Sequence, residues 1–153
     1  MKIPPSIIDN SKNNLRDFLI DIFKDSSQEN LDIATAFFRI EAYGMIEESM
    51  AGIKKFRLLL GKSPEQDTEA TLGSVISNMM KKEVEQFPLE SEPLSLVQRF
   101  IQFLKKDSVQ VRIYDKQFLH GKTYITNQLV VVGSSNFTPA GLTGNTELNL
   151  VGL

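Results

Sequence analysis

The sequence predicts an α/β protein with a mixed, mostly parallel sheet that is flanked by helices. Two apolar runs, residues 31–38 and 56–60, are typical of buried strands, and residues 41–49 between them have helical spacing. A strand, a helix and a strand in that order favour a right-handed crossover between parallel neighbours. Three more apolar runs are predicted to extend the sheet: residues 109–114, 119–126 and 129–132.

The remaining elements follow from spacing and from turn residues. Residues 1–10 are predicted to be an arm that leads to a helix capped by Asn10 or Ser11. The apolar residues of this helix recur at helical spacing: Leu15, Phe18, Leu19, Ile22 and Phe23. Further helices are predicted over about residues 68–87, ended by the segment 88–93, and over residues 94–104. We expect a hairpin turn at Asn127-Gln128, a loop or helical turn over 137–145, and a last strand over 146–153.

The chain has 153 residues, which indicates one domain over residues 1–153. It ends in or just after an apolar strand with no closing helix. Because an α/β domain usually covers both faces of its sheet, we expect an N-terminal fragment of a longer protein.

Composition excludes several kinds of site. There is no cysteine and only one histidine, so disulfides, thiolate sites and multi-histidine metal sites are excluded, and we expect no metal or cofactor. The sequence has no apolar run of the roughly 20 residues that cross a membrane, and no secretory signal, so we expect a cytoplasmic protein without membrane contact.

Charge is distributed unevenly. The whole chain has a net charge of −2, but residues 97–123 contain six Lys and Arg against two Asp, a balance of +4. This basic excess is predicted to surround the single histidine, His120, and to favour an anionic ligand there.

The segment from His120 to Glu147 contains the residues that suggest chemistry. His120 and Lys122 are two apart and are expected to project from one face of a strand. After the hairpin, Gly133-Ser134-Ser135-Asn136 is expected to end the neighbouring strand. Imidazole, ammonium, amide and hydroxyl groups together are suited to phosphate, since one group can attack phosphorus while others hold its oxygens. Glu147 is predicted to accept the other ring N–H of His120.

This spacing resembles the phospholipase D superfamily signature: His-x-Lys, four residues, Asp, about six residues, Gly-Ser-x-Asn and a later Glu. It most resembles the compact single-motif nuclease domains attached to helicases and restriction-type enzymes. The resemblance implies a phospholipase-D-like fold in which His120 forms a phosphohistidine and no metal is needed. It further implies that Lys122 and Asn136 bind phosphate oxygens, that Ser134 hydrogen-bonds within the site, and that Glu147 orients His120.

Two features depart from the signature. Asn127 occupies the position of the Asp, and the spacer to Gly133 is one residue shorter. In the family that Asp mostly supports the site, so Asn127 would weaken the architecture or mark a degenerate member.

Three functions therefore stay open. The first is a metal-independent phosphodiesterase that acts on DNA as a module of a larger helicase or restriction-like protein. The second is a phosphate- or nucleic-acid-binding module without turnover, which Asn127 favours. The third is a phospholipase or phosphatidyl transferase; the absence of a membrane segment and of a basic amphipathic helix argues against it.

The count of histidines predicts a homodimer. Cleavage needs a nucleophile and a general acid, and the resembled family pairs two histidines for these roles. This chain has only His120, so a second copy is expected to supply the other imidazole across a two-fold axis.

Overall fold

The computed structural model describes residues 6–24, 29–61, 77, 81 and 91–153. The strands are β1 Ile7–Ile8, β2 Asn30–Thr35, β3 Lys55–Gly61, β4 Val109–Tyr114, β5 Lys122–Ile125, β6 Val130–Gly133 and β7 Asn149–Gly152. The α-helices are α1 Leu15–Phe23, α2 Ile40–Gly44 and α3 Ser91–Leu104. A short 3₁₀ helix, Ser49–Gly52, and a π-helical turn, Ala140–Gly144, complete the described elements.

Within the described residues the strands form one sheet in the order β1-β7-β6-β5-β2-β3-β4. The predicted mixed α/β class with flanking helices is confirmed. The pairing of β2 with β3 is parallel, as the crossover argument predicts, and that of β3 with β4 is parallel too. The other four pairings are antiparallel, so the expectation of mostly parallel pairing was wrong. β5 enters the sheet antiparallel to β2. The chain then reverses direction again between β5 and β6 and between β6 and β7, without a helical crossover that would keep neighbouring strands parallel.

Alternation along the strands gives the sheet one buried face. Leu31, Ile33 and Thr35 of β2 point to this face, as do Tyr124 of β5 and Val131 of β6. Helix residues of α1, α2 and α3 pack against them to form the core. The same alternation places Lys122 on the buried face, two residues before Tyr124, which determines where its ammonium group lies.

Several boundaries differ from those predicted. The second predicted helix is divided into α2 and the 3₁₀ turn. The cap of α1 is Asn14, whose side chain accepts a hydrogen bond from the Asp17 N–H. The amino-terminal arm contributes strand β1, which pairs with β7. A two-residue strand has too short an apolar pattern to be identified from sequence.

The predicted strand over 119–126 begins only at Lys122, because the residues before it have no ladder partner among the described strands. The predicted turn at Asn127-Gln128 is confirmed, and the Thr126 N–H donates to the Leu129 carbonyl across it at 2.8 Å.

The predicted helix over residues 68–87 falls outside the described residues, apart from helical positions 77 and 81. The helix predicted over 94–104 is confirmed and begins earlier, at Ser91. Among the helices that are described, none has the length and apolar character needed to cross a membrane.

Candidate active site

The candidate site lies at one edge of the sheet. Strands β2 and β6 end at this edge, and the antiparallel strands β5 and β7 begin there. The register places Lys122 opposite Gly133, and Gly133 opposite Asn149. The carboxyl ends of parallel strands are a common place for ligand sites in open α/β sheets.

Lys122 is the most informative residue of this edge. Its side chain is only 4% exposed, and Nζ donates a hydrogen bond to the carbonyl oxygen of His120 at 2.6 Å. Within the described residues no carboxylate forms an ion pair with it. Burial lowers the pKa of Lys122, and the negative charge of Glu147 acts in the opposite direction. A buried ammonium that keeps free donors is suited to bind an anion.

Asn136 is held by the carboxyl end of β2. Its Oδ1 accepts a hydrogen bond from the Phe37 N–H at 3.1 Å and shares the single hydroxyl hydrogen of Thr35, at 3.3 Å, with the Phe37 carbonyl oxygen, at 2.8 Å. Thr35 is fully buried, and its hydroxyl also accepts from the Phe137 N–H. Because Oδ1 is engaged, the two donors of Nδ2 are left for a ligand, and no described residue accepts from them. The predicted role of Asn136 as a donor to phosphate fits this orientation.

Glu147 and Ser134 form a second polar group at the edge. The hydroxyl of Ser134 donates to Oε2 of Glu147 and accepts from the Leu148 N–H at 2.9 Å. Oε1 of Glu147 accepts from the side-chain amide of Asn145 at 3.3 Å. Ser134 is therefore hydrogen-bonded to Glu147 at this end of the strands.

His120 is less constrained than predicted. The expected hydrogen bond between His120 and Glu147 is absent from the described part of the chain, and the carboxylate oxygens accept from Ser134 and Asn145 instead. The ring of His120 is exposed and contacts the ring of Phe118, with centroids 5.6 Å apart. His120 is exposed and precedes β5, whereas Lys122, the first residue of β5, is buried.

Two glycines allow the close approach of backbone segments at this edge. A Cβ on Gly133 would lie 2.3 Å from the Leu148 carbonyl oxygen and 2.4 Å from Oδ1 of Asn149. A Cβ on Gly141 would lie 2.3 Å from the Asn136 carbonyl oxygen. A side chain at either position would therefore displace the segment that carries Ser134 and Asn136.

Asn127 lies at the opposite edge of the sheet, beyond the carboxyl end of β5. It lies five positions after Lys122, about 16 Å along an extended strand. Its Oδ1 accepts hydrogen bonds from the Glu29 N–H at 3.0 Å and the Asn30 N–H at 2.9 Å. An amide oxygen can accept these two bonds as a carboxylate would, so Asn127 fixes the start of β2 and does not touch the candidate site.

The basic excess is more dispersed than predicted. Lys105 and Lys106 lie beside the amino end of β4, at the edge remote from His120. Arg99 forms an ion pair with Glu47 at 2.8 Å. Lys116, which follows the carboxyl end of β4, remains on the same edge as Lys122. Residues that are close in sequence can lie at opposite ends of a strand, so a count of charges along the chain does not predict where they gather.

Sequence reasoning missed the residues that position the site. Thr35 orients Asn136, and Asn149 is fully buried with Nδ2 donating to the Ser135 hydroxyl at 2.8 Å. Oδ1 of Asn149 accepts from the Ser135 N–H, which fixes the loop after β6. The available signal was a polar residue inside an apolar strand, at Thr35 and at Asn149, since a buried polar group needs a partner.

The fold is similar to that of several solved structures. Phosphatidylserine synthase from Haemophilus influenzae Rd KW20 matches with a TM-score of 0.57 and 16% identity, over 99% of this chain and 36% of that one. The phospholipase D family member Nuc from Salmonella typhimurium matches with a TM-score of 0.51 and 14% identity, over 95% of this chain and 79% of that one. NucT from Helicobacter pylori matches with a TM-score of 0.48 and 17% identity, over 88% and 74%. The chain thus spans about a third of the length of the synthase.

Sequence comparison gives a family for almost the whole chain. No curated protein matches it significantly. The family model described as "Cardiolipin synthase, PLD-like domain" matches residues 19–152. This range contains all of the site residues above, and the fold agrees with that of solved phospholipase D family members. The chain therefore belongs to the PLD-like domain family.

Proposed function

We propose that this protein is a metal-independent phosphodiesterase that cleaves DNA through a phosphohistidine on His120. It would act as a homodimer in the cytoplasm, as a module of a larger helicase or restriction-like protein. Membership of a PLD-like family supports the general reaction class, and the proposal adds the substrate, the assembly and the roles of the residues.

The buried ammonium of Lys122 is the observation that carries the proposal. It lies at the same sheet edge as the amide of Asn136, whose Nδ2 faces no acceptor among the described residues. An anion with several oxygens would satisfy both groups. A phosphodiester fits, since its non-bridging oxygens gain charge in the transition state and charge-assisted hydrogen bonds strengthen accordingly.

The reaction would proceed in two balanced steps. A neutral ring nitrogen of His120 attacks phosphorus, a P–N bond forms, and the P–O bond to the departing alkoxide breaks. The alkoxide takes a proton from His120 of the partner subunit. Water then attacks the phosphohistidine, its proton passes to the partner's His120, and the P–N bond breaks to release a phosphate monoester.

Glu147 would act on this reaction through Ser134 and through charge. Its carboxylate holds the Ser134 hydroxyl, and its charge favours the ammonium form of Lys122. The first effect would fix the position of the Ser134 hydroxyl, and the second would keep Lys122 positively charged for binding phosphate. The orienting contact with His120 would require the imidazole to move toward the carboxylate when substrate binds.

The position of Asn127 weakens the case for a binding module without turnover. That alternative depended on the lost carboxylate. Since Asn127 supplies an equivalent acceptor to the start of β2 at the far edge, its identity leaves the candidate site unaltered. The site residues His120, Lys122, Ser134, Asn136 and Glu147 all retain the types that the chemistry needs.

The proposal is tested by incubating the protein with plasmid DNA and with a soluble phosphodiester in the presence of EDTA. We expect cleavage of both, and loss of at least 10²–10⁴-fold in His120→Ala, the range for removing a general acid or base alone. Cleavage that stops in EDTA, or that persists in His120→Ala, would contradict the proposal. Phosphate binding without any cleavage would favour the binding module.

A parallel incubation with vesicles of phosphatidylglycerol and phosphatidylcholine tests the lipid alternative. We expect no release of headgroup and no transfer of a phosphatidyl group. Lipid turnover that depends on His120, without cleavage of DNA, would replace the proposed substrate class.

A further inference from the structure

Two exposed aromatic rings adjoin the candidate site. The ring of Phe37 is 49% exposed, and that of Phe118 is 50% exposed. The other described Phe side chains lie at least partly in the core. Two half-exposed rings at the same end of the strands as Lys122 leave aromatic faces open to a ligand.

Phe37 and Phe118 each contact a residue of the candidate site. The Phe37 N–H donates to Oδ1 of Asn136 at 3.1 Å, and the Phe37 carbonyl accepts from the Thr35 hydroxyl at 2.8 Å. Phe118 lies two residues before His120 and its ring contacts the imidazole at a centroid distance of 5.6 Å. The backbone of Phe37 is therefore fixed beside Asn136, and the ring of Phe118 lies against His120.

We propose that Phe37 and Phe118 stack on nucleobases on either side of the scissile phosphate, and that the substrate is single-stranded or locally unpaired DNA. This inference rests on the proposed function. The exposed faces of these rings can be covered only by bases that are free of their own neighbours. In a duplex the bases are stacked on one another, which leaves no base face for the rings.

The charge of the edge favours a nucleic acid strand as the occupant. The buried ammonium of Lys122 and the exposed Lys116 lie on the same edge as the rings. A strand presents alternating phosphates and base faces, which matches a cation next to aromatic groups. An anionic lipid also offers phosphate to cations, so the vesicle titration below distinguishes it from a nucleic acid strand.

The sequence has no tryptophan, so Phe37→Trp and Phe118→Trp each introduce a unique fluorophore. We would prepare both in the His120→Ala background, which removes turnover, and titrate a single-stranded deoxyoligonucleotide. We expect quenching of both tryptophans by the oligonucleotide and none by an abasic strand of equal length. Ile7→Trp is the matched control, because Ile7 is 51% exposed but lies on β1, three strands from β5; its fluorescence should not change.

Affinity gives the second readout. Phe37→Ala and Phe118→Ala should each weaken oligonucleotide binding by roughly 5- to 150-fold, the range for one base stacked on an aromatic ring. Binding of inorganic phosphate should be unchanged, because Lys122 and Asn136 remain. Equal affinity of the Ala variants and the parent for the oligonucleotide would overturn the inference.

Other occupants give different signals. A blue shift on adding phosphatidylglycerol vesicles would identify a lipid surface. Loss of the base-dependent quenching at protein concentrations where the homodimer has formed would show that a second copy covers the rings. Either outcome would overturn the inference. Base-dependent quenching in a protein that cleaves no phosphodiester would uphold stacking and refute the nuclease proposal. Cleavage of DNA without base-dependent quenching would uphold the nuclease proposal and refute stacking on Phe37 and Phe118.

Discussion

At the residue scale, the proposed phosphate site depends on one buried cation, the ammonium of Lys122. The Lys122 ammonium has lost most of its water, and its hydrogen bond to the His120 carbonyl replaces only part of it. Desolvation disfavours the charged form, so the pKa of Lys122 falls, and the charge of Glu147 partly offsets this. A bound phosphate would supply the missing partner.

Lys122→Ala is therefore expected to weaken phosphate binding. The lost charge-assisted hydrogen bond is worth roughly 1.5–3 kcal/mol, or about 10- to 150-fold in affinity. Isothermal titration calorimetry with phosphate measures this change. The control is Lys55→Ala, an exposed lysine at the amino end of β3, remote from the site. Equal affinities in the parent and Lys122→Ala would remove Lys122 from the site.

Glu147→Gln is expected to change the reaction rate more than phosphate affinity at neutral pH. It also removes the charge that opposes the desolvation of Lys122, so the pKa of Lys122 falls further. Phosphate binding requires the ammonium form, and binding is lost as the pH rises through that pKa. The alkaline loss of phosphate affinity should therefore occur at lower pH in the variant, as measured by titrations between pH 7 and 10. Identical alkaline profiles would show that Glu147 does not act on Lys122.

At the element scale, the site is assembled from the ends of four strands. β2 contributes Thr35, β5 contributes Lys122, and the segments around Gly133 and Asn149 contribute the rest. The buried hydroxyl of Tyr124 donates to the Ser135 carbonyl at 2.9 Å, which ties β5 to the loop after β6. Burial strongly raises the pKa of this phenol, so it remains a donor at physiological pH. Such bonds hold the strand ends in one register.

Gly133→Ala is expected to disrupt this junction. The added methyl group would lie within 2.6 Å of three atoms of the β7 segment, two of them backbone atoms that cannot turn aside. Overpacking of this kind lowers the free energy of unfolding by roughly 1–3 kcal/mol or more, which urea denaturation measures. Gly52→Ala is the matched control, since a Cβ there meets nothing within 4 Å. Similar stabilities of the two variants would contradict the close contact.

At the scale of the whole molecule, one chain provides a single imidazole, whereas the proposed reaction uses two. The exposed position of His120 at the sheet edge leaves the ring accessible to a second copy. A two-fold axis near His120 would bring two identical rings to one phosphate.

Mixing experiments test this arrangement. When equal amounts of parent and His120→Ala chains are unfolded and reassembled together, about a quarter of the dimers contain two parent chains if assembly is random. We expect the activity of the mixture to be about a quarter of the activity of parent protein at the same total protein concentration. Activity of about half would show that each chain works independently, and an active monomer by light scattering would contradict the dimer.

How far the sequence specifies the site can be judged from Lys122 and Asn127. The sequence alone predicted that residues of the His120–Glu147 segment gather at strand ends, because turn residues and two-residue alternation are local properties. It did not predict that β5 begins at Lys122, which depends on where neighbouring strands supply partners. It likewise could not place Asn127 against Glu29 and Asn30, about a hundred residues earlier in the chain.

The sequence by itself determined the mixed α/β class, the parallel pairing of β2 with β3, the turn at Asn127-Gln128 and the residue types of the candidate site. Each follows from a pattern within a few residues, where spacing and backbone preference act directly. Only the tertiary structure decided the burial of Lys122, the partners of Glu147 and the contact between Thr35 and Asn136, which are 101 residues apart. The physical reason is that these contacts depend on the order of strands across the sheet. That order is set by packing of the whole core, so no local pattern records it.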